Sequence, residues 1–191
     1  LPLDKRPTTQ DIVDQATRQL VDRGDLPDAL RVDLLLTLAK VALSVGANAQ
    51  SLSLLDTAGP ALERLYGPGD APWWNAKGLR AGTLVELGRH ADAAAVLDPL
   101  RSKLLERHDD IGIDGLVALG VALSRAGKEE DGLALLHRAY ALAAADAAKH
   151  PAKMLDTAIR ETGALIEAHR FHDGIDSADA ALALWQQLGA K

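Results

Sequence analysis

The side chains best able to do chemistry in this chain are its six histidines, His90, His108, His137, His150, His169 and His172. A neutral imidazole can ligate a metal, and its proton exchanges near neutral pH. Only His169 and His172 lie close in sequence; with Asp173 they could offer two nitrogens and an oxygen to a divalent cation. The same three residues read rather as the polar turn between two helices. Glu106, His108, Asp109 and Asp110 gather acid and base groups, but their setting is that of a solvated loop whose carboxylates cap the next helix, not of an acid/base pair. No Walker loop, kinase motif, His-Glu-x-x-His or Gly-x-Ser-x-Gly string occurs. The absence of cysteine excludes disulfides, thiolate metal sites and cysteine catalysis. The expectation is a chain without catalytic residues, cofactor or metal.

The elements that would position a site are helices. In 191 residues, 48% are hydrophobic but only 3% aromatic, and Ala and Leu dominate, which suits closely packed helices rather than sheets. Lys and Arg number 21 against 27 Asp and Glu, a net charge of −6 that disfavours nucleic acid and anionic membrane surfaces and favours a neutral or basic protein partner. The apolar stretch from Ala141 is interrupted by Asp146, so no segment is expected to enter a membrane. A start at Leu1, without a charged and apolar leader behind it, fits a segment of a larger protein.

Similar strings recur along the chain. Leu38-Ala39-Lys40-Val41-Ala42-Leu43-Ser44-Val45-Gly46, Leu84-Val85-Glu86-Leu87-Gly88 and Leu123-Ser124-Arg125-Ala126-Gly127 each run from an apolar segment into glycine, and Leu165-Ile166-Glu167-Ala168-His169 is a fourth with His in its place. The turn positions recur every 39 to 42 residues, the length of one long-armed helical hairpin. A left-handed residue is needed there to end a helix, and the small residue five positions on (Ser51, Ala93, Gly132, Gly174) lets the next helix approach. Pro27, Pro72 and Pro151 mark the starts of first helices, with Asp25 and Asp70 as N-caps. Leu30, Leu34, Leu38, Val41 and Val45, then Leu52, Leu55, Leu62 and Leu65, read as apolar stripes.

These signals predict a leading helix near 9–22, capped by Thr8 with Asp11, and hairpins near 26–66, 71–106, 110–147 and 151–188: nine helices, with kinks or breaks at Pro60 and Pro99. Residues 1–25 form the leading helix and the segment after it, and 26–191 the hairpins, in one domain. Trp73 and Trp74 open the second hairpin, at least one of them as core and the pair alternatively as an interface anchor; Trp185 is read as packing in the last helix.

The turn glycine with its small follower resembles the tetratricopeptide repeat. The long period, with Gly67-Pro68-Gly69-Asp70-Ala71-Pro72 and His150-Pro151 before new helices, is similar to the extended repeats of kinesin light chain and its bacterial relatives. The resemblance implies an all-α right-handed superhelix that binds protein or peptide and catalyses nothing. Pro7-Thr8-Thr9-Gln10-Asp11-Ile12-Val13-Asp14-Gln15-Ala16 and Leu26-Pro27-Asp28-Ala29-Leu30-Arg31-Val32-Asp33-Leu34-Leu35 are similar to the start of the C-terminal repeat region of bacterial eukaryotic-like serine/threonine kinases. Related regions also follow winged-helix transcriptional regulators. The location implied is cytoplasmic, or periplasmic where the parent carries a membrane anchor.

In this family the first helices line a concave groove. Carried over from each turn position, the groove comprises Asp33, Leu36, Lys40, Leu43 and Ser44; Asn75, Gly78, Gly82, Val85 and Glu86; Asp114, Val117, Val121, Ser124 and Arg125; and Asp156, Ile159, Gly163, Ile166 and Glu167. Five acids against Lys40 and Arg125 imply a partner carrying Lys or Arg beside aliphatic anchors, and disfavour a carboxylate clamp. A repeat stack also exposes apolar ends, so self-association through Leu182, Leu184 and Trp185 is a competing expectation.

Overall fold

The computed structural model describes residues 9–21 and 26–189, and among them every regular element is helical. The elements are α1 Thr9–Val21, α2 Asp28–Ser44, α3 Asn48–Leu65, α4 Ala71–Glu86, α5 His90–Leu97, a single 3-10 turn Asp98–Leu100, α6 Arg101–Glu106, α7 Asp110–Arg125, α8 Glu129–Ala145, α9 Pro151–Glu167 and α10 Phe171–Gly189. The segments α5 and α6 are one expected helix broken at Pro99, where the ring and missing N–H interrupt the hydrogen-bond ladder. No break occurs at Pro60: α3 runs across it on an exposed face, where solvent can satisfy the one freed carbonyl. The expected caps Thr8 and Asp25 lie outside the described residues.

All four turns share one backbone solution. Gly46, Gly88 and Gly127 have φ of +77°, +72° and +84°, and His169 has +59°, the one non-glycine residue with positive φ among those described. At each, the turn residue donates three residues back and its successor five back: Gly127 N to Ser124 O at 3.2 Å and Lys128 N to Leu123 O at 2.9 Å, matched by His169 N to Ile166 O at 3.0 Å and Arg170 N to Leu165 O at 2.8 Å. Those bonds satisfy helix-end carbonyls, so the turn holds even where glycine is absent. His169→Gly is expected to stabilise the fold by up to about 1 kcal/mol, because a Cβ is strained in the left-handed region. A lowered melting midpoint would instead mean that the edge contact of the His169 ring with Phe171, centroids 5.8 Å apart, outweighs the strain.

Helix starts are less uniform. The Asp109 carboxylate caps α7 by accepting from Gly112 N at 3.0 Å, as expected of that loop. Asp70 occupies the N-cap position of α4, yet its carboxylate turns back and accepts from Gly67 N at 2.9 Å. It closes the preceding turn and leaves the helix uncapped.

Residues Leu1–Arg89 and His90–Lys191 form two compact units. In the first, α2 and α3 pack as a hairpin, with α1 on α2 and α4 on α3. Its core joins Leu20, Leu35, Ala39, Ala42, Leu54, Leu55 and Ala58. The stripe expected to be buried on α2 is a different one: Val32, Leu35, Ala39 and Ala42 are inside, whereas Leu30, Leu34, Val41 and Val45 are exposed. The helix is apolar on two sides, and periodicity cannot choose between them. Ser51 and Thr83 meet at 3.0 Å where α3 and α4 approach; Thr83 donates to Leu79 O, so Ser51 donates to Thr83.

In the second unit, α7 with α8 and α9 with α10 form hairpins, α8 packs on α9, and α5 and α6 pack on α7. Leu97, Leu104, Leu116, Leu119, Leu123, Leu136 and Met154 are fully buried. Gly115 and Gly132 sit at the tight approaches, against Leu104 and against the backbone of α7 respectively.

Candidate functional site

The rows that the repeat resemblance implies lie on α2, α4, α7 and α9. On α2, Asp33 and Lys40 are exposed and Leu36 and Leu43 half-buried. On α4, Asn75 and Glu86 are exposed and Gly78 and Gly82 half-buried, but Val85 is buried and offers no surface to a ligand. The neighbouring Trp73 and Trp74 are both buried and meet edge-on, centroids 5.2 Å apart. Trp73 Nε1 donates to Glu63 at 3.0 Å and Trp74 Nε1 to Pro68 O at 2.7 Å, while Lys77 lies 4.9 Å over the Trp73 ring. The pair is therefore core, not the interface anchor held open as its alternative.

In the second unit, α7 and α9 expose Asp114, Arg125, Asp156, Ile159, Ile166 and Glu167, with Val117 and Val121 half-buried between them. The acids are largely paired. Lys153 Nζ lies 2.6 Å from Asp114, Arg125 grips Glu167 through bonds of 3.0 and 3.3 Å, and Arg160 is 3.8 Å from Asp156. Half-buried Val117 and Val121 thus lie between two ion pairs along α7, and the acidic groove read from charge counting is locally neutral here. Lys153 and Arg160 lie outside the carried-over positions, so those positions alone could not show the balance.

Three carboxylates are held below their ordinary range: Glu167 by Arg125, Asp109 by Arg107 and by the Gly112 N–H, and Glu63 by Lys77 and Trp73. A folded-state value below the unfolded one means that the unfolded chain binds more protons, so this stability is present above the ordinary carboxylate range and lost as pH falls through the depressed values. The melting midpoint should fall on acidification. A chain carrying Glu63→Gln, Asp109→Asn and Glu167→Gln should show a shallower fall; an identical profile would mean that these pairs contribute nothing.

Other candidate chemistry disperses. Among the described residues no three His, Asp or Glu side chains converge on a metal-sized site; Asp173 is taken by Arg170 at 2.6 Å. His137, buried Glu161 and Ser177 contain the elements of a nucleophilic triad, but Ser177 donates to Glu161 at 3.1 Å and His137 Nδ1 meets the other carboxylate oxygen at 2.7 Å. The serine is bonded to the acid, not to the imidazole that would have to activate it, so the network ties α8, α9 and α10 together.

Trp185, read both as packing in the last helix and, with Leu182 and Leu184, as a candidate end face, is 43% exposed and lines a cleft between α9 and α10 with Leu155, Ile159, Ile166 and Leu182. The 4-3-4-3 spacing of Phe171, Ile175, Ala178, Leu182 and Trp185 was the signal available.

Helices paired through left-handed turns with small residues at each crossing define a TPR-like repeat scaffold, and similar solved structures share that fold. A Podosopora anserina protein described as a kinesin light chain with nearly identical TPR-like repeats matches in a point-variant structure, with a TM-score of 0.73 and 13% identity over 96% of this chain and 89% of that one. A second structure of it gives a TM-score of 0.69 and 13% identity over 94% and 88%. No protein-family model and no curated protein matches the chain.

Proposed function

We propose that this chain is a protein-binding scaffold whose exposed first-helix rows hold a peptide with aliphatic anchors and basic residues, as a regulatory part of a larger bacterial protein such as a serine/threonine kinase. TPR-like folds commonly mediate protein–protein interaction. The observation that carries the reading is half-buried Val117 and Val121 on α7, flanked by the Asp114–Lys153 and Arg125–Glu167 ion pairs, with Ile159 and Ile166 exposed on α9. Apolar side chains there can anchor a ligand, while the flanking charges fix its register. In the first unit, Asp33, Leu36, Lys40, Leu43, Asn75 and Glu86 would serve the same purpose. Residues 26–191 are the proposed binding region, led by 1–25. The kinase parent rests on the strings Pro7–Ala16 and Leu26–Leu35.

Site-directed photo-crosslinking tests this. A reactive residue at Lys40, Asn75, Asp114 or Asp156 should capture a protein from lysate of the source cells, and one at exposed Asp56 on α3 should not. Capture only from α3, or none above a bait-free control, would refute the first-helix site. A winged-helix domain upstream in the reading frame would replace the kinase parent, and ATP turnover by the purified chain would replace the scaffold reading.

A further inference from the structure

In the third and fourth hairpins, residues 42 apart are equivalent, Gly127 matching His169. Val117 and Val121 are half-buried and Leu133 and Leu136 buried beside α9, which seats Ala164, Leu165 and Ala168 among them. Their counterparts are Ile159, Gly163, Ile175 and Ala178, and no described element seals these: Ile159 is 68% and Ile175 59% exposed. Gly163 and Ala178 are smaller than the Val and Leu they replace, which hollows the centre into a cleft of about 530 Å³ edged by Ile166, Leu182 and Trp185.

We infer that this face of α9 and α10 docks an amphipathic helix with basic flanks from another polypeptide, lying as α9 lies on the third hairpin. The inference rests on the scaffold reading and adds a second site to it. Shape calls for a helix, since a helix fills the equivalent face one repeat earlier. Charge calls for a basic one. Where α9 covers the third hairpin, Lys153 meets Asp114 and Glu161 meets His137. The counterparts of Asp114 and His137 are Asp156 and Asp179. Helix α10 contains Asp173, Asp176 and Asp179 and neither Lys nor Arg, and Asp176 and Asp179 have no ion pair among the described residues. Asp156 already has Arg160 at 3.8 Å, so a docking helix with Lys at the position matching Glu161 would neutralise Asp179, and a large side chain in place of Ala164 would fill the hollow.

A second copy of the chain is the rival occupant. Exposed Leu30, Leu34, Val41 and Val45 of α2, with half-buried Leu38, match Lys153, Thr157, Ala164, Ala168 and Glu161 in register. That pairing would set Leu38 against Asp179, removing its carboxylate from water without a cation.

The probe is a labelled synthetic peptide of residues 151–167 carrying Glu161→Lys and Ala164→Leu, titrated with the intact chain by fluorescence anisotropy. It should bind at least about tenfold more tightly than the unaltered 151–167 peptide, with affinity falling as salt rises. Ile159→Asp with Leu182→Asp in the chain, both on exposed positions, should abolish binding while circular dichroism stays unchanged, and Asp179→Asn should flatten the salt dependence. No binding by a peptide shown to be helical, or binding indifferent to the Ile159/Leu182 changes, would overturn the site. Sedimentation of the chain alone as a dimer that those changes dissociate would overturn the occupant in favour of a second copy. Failure here, with first-helix crosslinks intact, would leave the scaffold reading standing.

Discussion

Gly132→Ala should destabilise the second unit by about 3 kcal/mol or more, enough to leave much of it unfolded near physiological temperature. A Cβ at this position would lie 2.5 Å from Gly120 O and 2.6 Å from Ser124 N, as well as against the Ser124 hydroxyl. The hydroxyl can rotate away, but the two backbone atoms cannot move without separating α8 from α7. Their separation would loosen the packing around Leu116, Leu119 and Leu123, all fully buried. Gly78→Ala is the control: nothing lies within 4 Å of a Cβ there, and the change should stabilise α4 by about 0.5–1 kcal/mol through helix propensity alone. Chemical denaturation of both variants decides it. A tolerated Gly132→Ala would mean that α7 and α8 are not so closely apposed.

Leu136→Ala should cost about 3 kcal/mol, the transfer free energy of the deleted atoms plus that of the cavity left behind. Leu136 is fully buried and packs with Leu133, Ala164 and Leu165 where α8 meets α9. The mirror experiment is Ala178→Leu, which restores at the equivalent exposed position of α10 the residue that the third hairpin has. It should change stability by no more than about 0.5 kcal/mol, since little of the added side chain is buried. It should also weaken the docking peptide by filling the hollow. A cost below about 1 kcal/mol for Leu136→Ala would mean that the α8–α9 junction is loosely packed and could not serve as the template for an end-face partner.

Much of this fold was legible before any coordinates. The turn glycines with small residues five positions on place the hairpin turns because each reports a local constraint, a left-handed backbone or a close helix crossing, that few residue types satisfy. His169 follows the same logic at one remove, since backbone hydrogen bonds of the turn rather than the residue type hold its positive φ. The break at Pro99 is likewise local; its absence at Pro60 is not, because it depends on that side of α3 facing solvent.

The sequence by itself determined the helical class, the turn positions and the lack of a recognisable catalytic motif, because backbone stereochemistry and residue type act over a few positions. Only the tertiary structure decided which side of α2 is core, since Leu30 and Val32 are equally apolar and only packing against α1 and α3 separates them. It alone paired Asp114 with Lys153 and Arg125 with Glu167 across about forty residues, turning an apparent excess of acid into neutral pairs flanking Val117 and Val121. It alone decided between the packed and the exposed reading of Trp185, because burial depends on whether another element lies over a surface, and a residue's own neighbours in the chain carry no record of that.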